Sequence, residues 1–251
     1  MLETRNLTIR FGGHVAVDHV SCAFQPGTLT AIVGPNGAGK TTYFNLISGQ
    51  LRATEGQVML GGHDITAEPA SARTHRGLGR AFQLTQLFPN LTVLENVRLA
   101  VQSRRREGLN LWSVWLDRQE TLARARELAQ QVQLGDKADT IASSLPHGDQ
   151  RKLEVAMLMA LDPQVFMFDE PTAGMSVDEV PVILDLIRQL KARRDATILL
   201  VEHKMDVVRE LADRIIVLHN GQLVADGDPA TVIASPVVQQ AYLGMAAKEA
   251  A

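Results

Sequence analysis

Apolar and polar positions first follow the period of strands. Leu7, Ile9 and Phe11 alternate with polar neighbours, Gly12-Gly13 supplies a turn, and the pattern resumes over Val15–Phe24, which predicts short strands within residues 4–33. Pro26-Gly27 marks a second turn, and Leu29–Val33 is a continuous apolar run ending at a glycine, the pattern of a buried strand. The period then changes. Phe44, Ile47, Ser48 and Leu51 share one face of a helix over 41–51, and Gln57–Leu60 followed by Gly61-Gly62 reads as a hairpin strand. Leu91–Val101 and residues 117–134 are helical in pattern, so 86–160 is expected to be a mostly helical insertion. Buried strands return at 164–168, Thr197–Val201 and Ile215–Leu218. Between the first two, an amphipathic helix over 179–194 turns Val182, Ile183, Leu186, Ile187 and Leu190 inward. Strands alternating with helices predict an α/β class with a mainly parallel sheet covered on both faces, preceded by N-terminal strands.

Composition narrows the picture. The chain has 251 residues, 45% apolar and 21% charged, which excludes a disordered chain and provides ample length for a core. Its 25 Lys and Arg against 28 Asp and Glu leave a net charge of −3, which argues against a protein that coats nucleic acid. The lone Cys22 excludes an intrachain disulfide and a cysteine-cluster metal site. The longest apolar run, Val155–Leu161, is far short of the about twenty residues of a spanning helix, and Met1–Arg5 does not resemble a signal peptide. A cytoplasmic protein that reaches a membrane only by docking is expected.

The strongest chemical signal is Gly34-Pro35-Asn36-Gly37-Ala38-Gly39-Lys40-Thr41, which fits the phosphate loop G-x-x-x-x-G-K-[ST] with a strand before it and a helix after it. Glycines let the backbone wrap a phosphate chain with its N–H groups inward, and the helix N-terminus adds positive potential. Lys40 supplies a cation for the β- and γ-phosphates, and the Thr41 hydroxyl can ligate Mg²⁺. Asp169 and Glu170 close an apolar strand. Asp169 can hold the Mg²⁺ shell, and Glu170 can orient or deprotonate an attacking water.

With these motifs in place, Leu145-Pro146-His147-Gly148-Asp149-Gln150 ahead of a helix, and His203 following the strand Thr197–Val201, make the sequence resemble the ATP-binding cassette (ABC) transporter ATPases from Phe11 to Leu243. The resemblance implies a P-loop ABC-type nucleotide-binding domain with N-terminal antiparallel strands, a RecA-like core over 1–85 and 161–251, and a helical subdomain over about 86–160. It implies that Phe11 stacks on adenine and that Gly34 through Thr42 bind the nucleotide. Gln83, in the loop joining core and helical subdomain, would serve catalysis and the metal, and His203 would contact the γ-phosphate. Gly148 would act in trans, on ATP held by a second subunit. Implied cofactors are ATP and Mg²⁺, the latter held by Thr41, Gln83 and Asp169.

Implied partners are integral-membrane permease subunits, a second ATPase subunit (a second copy or a paralogue) and, indirectly, an extracytoplasmic solute-binding protein, with no nucleic acid. The expected location is peripheral, on the inner face of the plasma membrane. Within the family, Phe44-Asn45, Asp169-Glu170-Pro171-Thr172-Ala173-Gly174-Met175, Val201-Glu202-His203-Lys204-Met205 and the tail from Asp226-Gly227-Asp228-Pro229 to Ala241-Tyr242-Leu243-Gly244 look like the ATPases of branched-chain amino acid importers. Importers of urea and short amides and exporters of the lipopolysaccharide type share many of these features. A soluble ABC protein, or a regulatory switch that does not hydrolyse ATP, is the reading from another class.

The signature departs from the family's Leu-Ser-Gly-Gly-Gln. Pro146 offers neither a hydroxyl nor an N–H, and Asp149 would bring negative charge near a triphosphate unless its carboxylate points away. Reduced hydrolysis is expected if these residues tune the site. The alternative is that both serve the helix start. Ser176 stands where the family often has Asp. The pair Trp112 and Trp115 suits one helix face, for local packing or a membrane-subunit groove, and Arg104–Arg106 reads as a solvated run or a contact for anionic lipid. Cys22 reads as a core thiol, and His14, His19, His63, His75 and His219 show no ligand spacing.

Overall fold

The computed structural model describes residues 1–81, 87–105, 114–236 and 238–239. Two compact units emerge. One comprises Met1–Leu78, Gln164–Glu170 and the described residues from Leu190 on; the other comprises the described residues of Gly79–Pro163 together with Pro171–Gln189.

The first unit opens with β1 (Leu2–Phe11) and β2 (His14–Phe24), an antiparallel hairpin joined by Gly12-Gly13. β1 also pairs antiparallel with β4 (Glu55–Leu60), and β4 with the short β5 (His63–Asp64), in the order β2-β1-β4-β5. A second sheet has the order β10-β9-β3-β8-β7-β6, formed by β3 (Leu29–Val33), β6 (Leu78–Ala81), β7 (Val165–Asp169), β8 (Thr197–Val201), β9 (Arg214–His219) and β10 (Gln222–Gly227). β3 runs parallel to β8 and β9, and β7 parallel to β8, while β10 is antiparallel to β9.

Period-two alternation explains how the second sheet is buried on both faces. Ile32, Ile216 and Leu218 join Leu7, Val20 and Phe24 of the first sheet and Phe44 and Ile47 of α1 (Lys40–Ser48) in one core. Their neighbours Ala31, Val33, Ile215 and Val217 point the other way, against Val208 of α7 (Met205–Leu211) and Val232 of α8 (Pro229–Ala234). The helix expected over 41–51 ends at Ser48 because Gly49 takes the left-handed conformation at φ 80 and stops it. Cys22 is a core thiol, and burial pushes its pKa up to about 11.

The second unit contains α3 (Val93–Arg105), α4 (Val114–Gln131) and α5 (His147–Leu161), which pack on one another, and most of α6 (Val180–Ala192). Thr92 and Glu95 cap α3 reciprocally: the Glu95 N–H donates to the Thr92 hydroxyl at 3.2 Å, and the Thr92 N–H donates to the Glu95 carboxylate at 2.9 Å. On α6, Ile183, Leu184, Leu186, Ile187 and Leu190 are buried and Val182 is half-buried, one residue more and one less than the sequence pattern suggested. Arg104 is exposed, as a solvated run implies, and its guanidinium pairs with Asp162, the residue that ends α5, at 2.6 Å. Trp112, Arg106 and the Trp115 ring lie outside the described residues.

A short helix missed in the sequence pattern, α2 (Ala70–His75), carries the most deeply buried cation of the first unit. Arg73 is 1% exposed and donates to the carbonyls of Leu46 and Ile47, each at 2.7 Å, of Thr66 at 2.8 Å and of Glu68 at 3.0 Å. It therefore satisfies the carbonyls that α1 leaves open at its C-terminal end, where a cation also opposes the helix dipole. Arg73→Met, which keeps the volume and removes the donors, is expected to destabilise the protein by about 3 kcal/mol. Urea denaturation checks this, and a loss below about 1 kcal/mol would show that water replaces the guanidinium.

Candidate nucleotide site

The site begins where β3 ends. All of Leu29–Val33 is buried, and the chain must then turn sharply at Gly34, whose φ is 152. A Cβ there would lie 2.1 Å from the Leu218 carbonyl oxygen, so only glycine lets the loop leave the sheet at this point. The loop closes on Gly39, the residue that caps α1 at φ 97, where a Cβ would lie 2.4 Å from the Ala16 carbonyl oxygen. α1 has no side-chain cap and no acid in its first turn. Its leading N–H groups are therefore left to an external acceptor, the arrangement that binds phosphate.

Phe11, Asn36, Gly37, Ala38, Gly39, Lys40, Thr41, Thr42, Glu170 and His203 line a single cavity of about 460 Å³. Gly34 and Pro35 contribute from behind, because their carbonyls accept the Lys40 ammonium at 2.8 and 3.0 Å. Lys40 is 5% exposed, and burial draws its pKa below the ordinary lysine value, with Glu170 and Asp169 opposing that shift. Asp169 is buried at the end of β7. Glu170 follows with a left-handed backbone, φ 50, while its N–H still donates to the Val201 carbonyl at 2.9 Å. That conformation costs about 1–2 kcal/mol for a residue with a Cβ, and it breaks the strand's alternation at the residue whose carboxylate meets His203. The His203 Nε2 lies 2.7 Å from the Glu170 Oε1, with both side chains part-exposed to the cavity.

Two further lining residues, His14 and Ala16, belong to no motif. The two-residue Gly12-Gly13 turn was the available signal, since it sets His14 opposite Phe11 in the hairpin register. Gln83 lies outside the described residues, so its expected roles have no structural counterpart here. Gly148 belongs to the second unit and does not line this cavity. The donor set suits Mg²⁺, a hard cation that takes few protein oxygens beside those of a substrate phosphate: the Thr41 side chain lines the cavity, and Asp169 interacts electrostatically with Lys40.

The second unit bears on the question raised by the altered signature. Pro146 is the residue before the first turn of α5, with φ −56 and ψ 154, and its carbonyl accepts from the Gln150 N–H at 3.0 Å. Asp149 lies in that first turn, where a carboxylate suits the helix dipole. Its two oxygens take the ammonium groups of Lys137 at 2.5 Å and Lys152 at 2.9 Å. The carboxylate is committed to lysines of its own unit, as it would be if it served the helix start. Gly148 is pressed by a different acid: a Cβ there would lie 2.0 Å from a Glu179 carboxylate oxygen. The Glu179 carboxylate also accepts from the Ser176 N–H and hydroxyl at 3.1 and 2.9 Å, which fixes the turn that leads into α6.

Residues 17–173 match the ABC transporter family. The chain belongs to that family. It is 36% identical over 251 residues to the high-affinity branched-chain amino acid transport ATP-binding protein LivG of Escherichia coli K12, spanning 98% of each chain. It is 35% identical to the corresponding protein BraF of Pseudomonas aeruginosa, again over 98% of both. Among solved structures, a nucleotide-free ATP-binding cassette from an ABC transporter matches with TM-score 0.81 and 30% identity, covering 96% of this chain and 98% of that one. The dimeric cassette MJ0796 bound to ADP and Pi matches with TM-score 0.79 and 26% identity, covering 91% and 99%. As an ABC protein of this kind the chain is an ATPase, and among its described residues no helix is long and apolar enough to cross a membrane.

The Asp149 pairing yields a test with a defined sign. Burial works to raise its pKa, but the bonds from Lys137 and Lys152 prevail and hold it below the ordinary 3.8. A carboxyl lowered on folding adds stability above its unfolded pKa and loses it as the pH falls through the folded one. Asp149→Asn is therefore expected to be less stable than wild type at neutral pH, with the gap closing as the pH drops below 3.8. Denaturation midpoints across that range check this, and a gap independent of pH would mean that the ion pairs contribute nothing.

Proposed function

We propose that this chain is the ATP-hydrolysing subunit of an importer for branched-chain amino acids, held against membrane permease subunits on the cytoplasmic face. The observation that supports the chemistry is the convergence of the loop amides, Lys40 and the Glu170–His203 pair on one cavity. The loop N–H groups and Lys40 bind the β- and γ-phosphates of ATP, and Phe11, half exposed at the cavity, stacks on the base. Mg²⁺ held by Thr41 and Asp169, with Gln83, would neutralise charge on the phosphates. Glu170 accepts a proton from water as its oxygen bonds to the γ-phosphorus and the bond to the β-phosphate oxygen breaks. His203, bonded to Glu170, holds that carboxylate in place and reaches the γ-phosphate. Near-complete coverage of LivG and BraF supports the solute class. The dimeric cassette structures support pairing of two ATPase subunits; in such a pair Gly148 of each would complete the other's site.

Lys40→Ala is expected to abolish tight ATP binding. Glu170→Gln is expected to keep binding while slowing hydrolysis by about 10²–10⁴-fold, and to trap an ATP-bound dimer visible by size-exclusion chromatography with Mg-ATP. Hydrolysis by Glu170→Gln at the wild-type rate would remove Glu170 from the mechanism. The solute class is tested by reconstituting the chain with permease subunits that co-purify with it and measuring uptake of labelled leucine, urea and a short amide. ATP-dependent uptake of urea or the amide without leucine would replace the amino acid reading.

A further inference from the structure

The phosphate end of the cavity is rich in donors, but the other end is nearly bare of them. Apart from residues of the 34–42 loop and the Glu170–His203 pair, the described lining residues are Phe11, His14 and Ala16. Phe11 offers only a π-face and Ala16 only a methyl. Among the described residues, His14 is therefore the one side chain at that end able to make a hydrogen bond. Its ring is also unengaged: His19 is bonded to Asp18 at 2.6 Å and His75 to the Ser71 carbonyl at 2.7 Å, while the His14 imidazole has no hydrogen-bond partner among the described residues.

Its place on the strand fixes which part of a nucleotide it meets. His14 pairs directly across the hairpin with Phe11, so the two side chains leave the sheet on the same face. Further along β2, at a bulge that leaves Ala16 unpaired, the Ala16 carbonyl abuts Gly39 at the start of α1. His14 thus stands across the hairpin from the aromatic ring, two residues before the point where β2 meets the phosphate-binding helix end. We propose that His14 is a specificity-determining residue that hydrogen-bonds the sugar–base half of a nucleoside triphosphate, so that the site reads the nucleoside as well as the phosphates. This inference rests on the nucleotide reading of the cavity given above, and not on the solute imported.

The experiment is isothermal titration of the full chain with ATP and, separately, with inorganic triphosphate, for wild type, His14→Ala and His14→Gln. His14→Ala is expected to weaken ATP about fivefold, the loss of one neutral hydrogen bond, and to leave inorganic triphosphate unchanged. His14→Gln keeps a donor and an acceptor and is expected to recover most of the loss. His14 is exposed on the hairpin, so the fold is expected to survive both changes, as circular dichroism will show. An unchanged ATP affinity in His14→Ala would overturn the proposal while leaving the nucleotide site intact. So would an equal loss for both ligands, which would mean that the residue acts through the loop. A wild-type protein that binds neither ligand would overturn the nucleotide reading together with the inference.

Discussion

The nucleotide site depends on a steric constraint: the chain must leave a fully buried strand where no Cβ fits. β3 lies between β8 and β9 and is covered on both faces, so the loop that follows cannot spread sideways. Gly34 resolves the crowding by passing close to the Leu218 carbonyl, and Gly39 does the same against Ala16 before α1 begins. Between them the Ala38 N–H closes a turn on the Pro35 carbonyl at 3.1 Å, and residues 36–39 line the cavity. Lys40 then folds back onto the Gly34 and Pro35 carbonyls, which are acceptors created by that same turn. Packing in the core thus prescribes the loop path, and the loop path prescribes where a buried ammonium can be satisfied.

Charge is handled differently in the two units. Around Lys40 the compensating acids are few, and the carbonyls of the loop carry much of the burden, so the ammonium remains available to an incoming anion. In the second unit, the first turn of α5 is surrounded by two ammonium groups, Lys137 and Lys152, and two carboxylates, Asp149 and Glu179. Those charges balance locally. What α5 keeps at its N-terminal end is the dipole of its backbone, and Gly148 is the residue that lets Glu179 come close enough to fix the turn that leads into α6.

Much of this was legible in the sequence. Fully buried strands declared themselves as unbroken apolar runs, and Leu29–Val33 and Thr197–Val201 have the limits expected of them. The loop from Gly34 to Thr41 was legible because its glycines are required by backbone geometry, which leaves a spaced pattern. Elements that hide lack such a pattern. α2 is six residues long and is held by the side chain of Arg73, whose partners lie on a helix far away in sequence. β10 went unread although Asn220-Gly221 supplies left-handed residues at φ 48 and 78, the signal of a tight hairpin.

Single residues in the site were harder to read than motifs, for a physical reason. The role of Asp149 turns on where its carboxylate points, and that is set by Lys137, which lies on a separate turn twelve positions earlier. No local pattern encodes that pairing, because the spacing follows from how the short 3₁₀ turn at Gly135–Lys137 folds back on α5. His14 presents the converse case. Nothing about its type or spacing marks it as a ligand, and only the register of the hairpin brings it beside Phe11. A side chain whose function comes from register becomes legible once the turn that sets the register has been read. The Gly12-Gly13 turn is therefore the part of the sequence that carries information about the open end of the cavity, just as Gly34 and Gly39 carry it for the phosphate end.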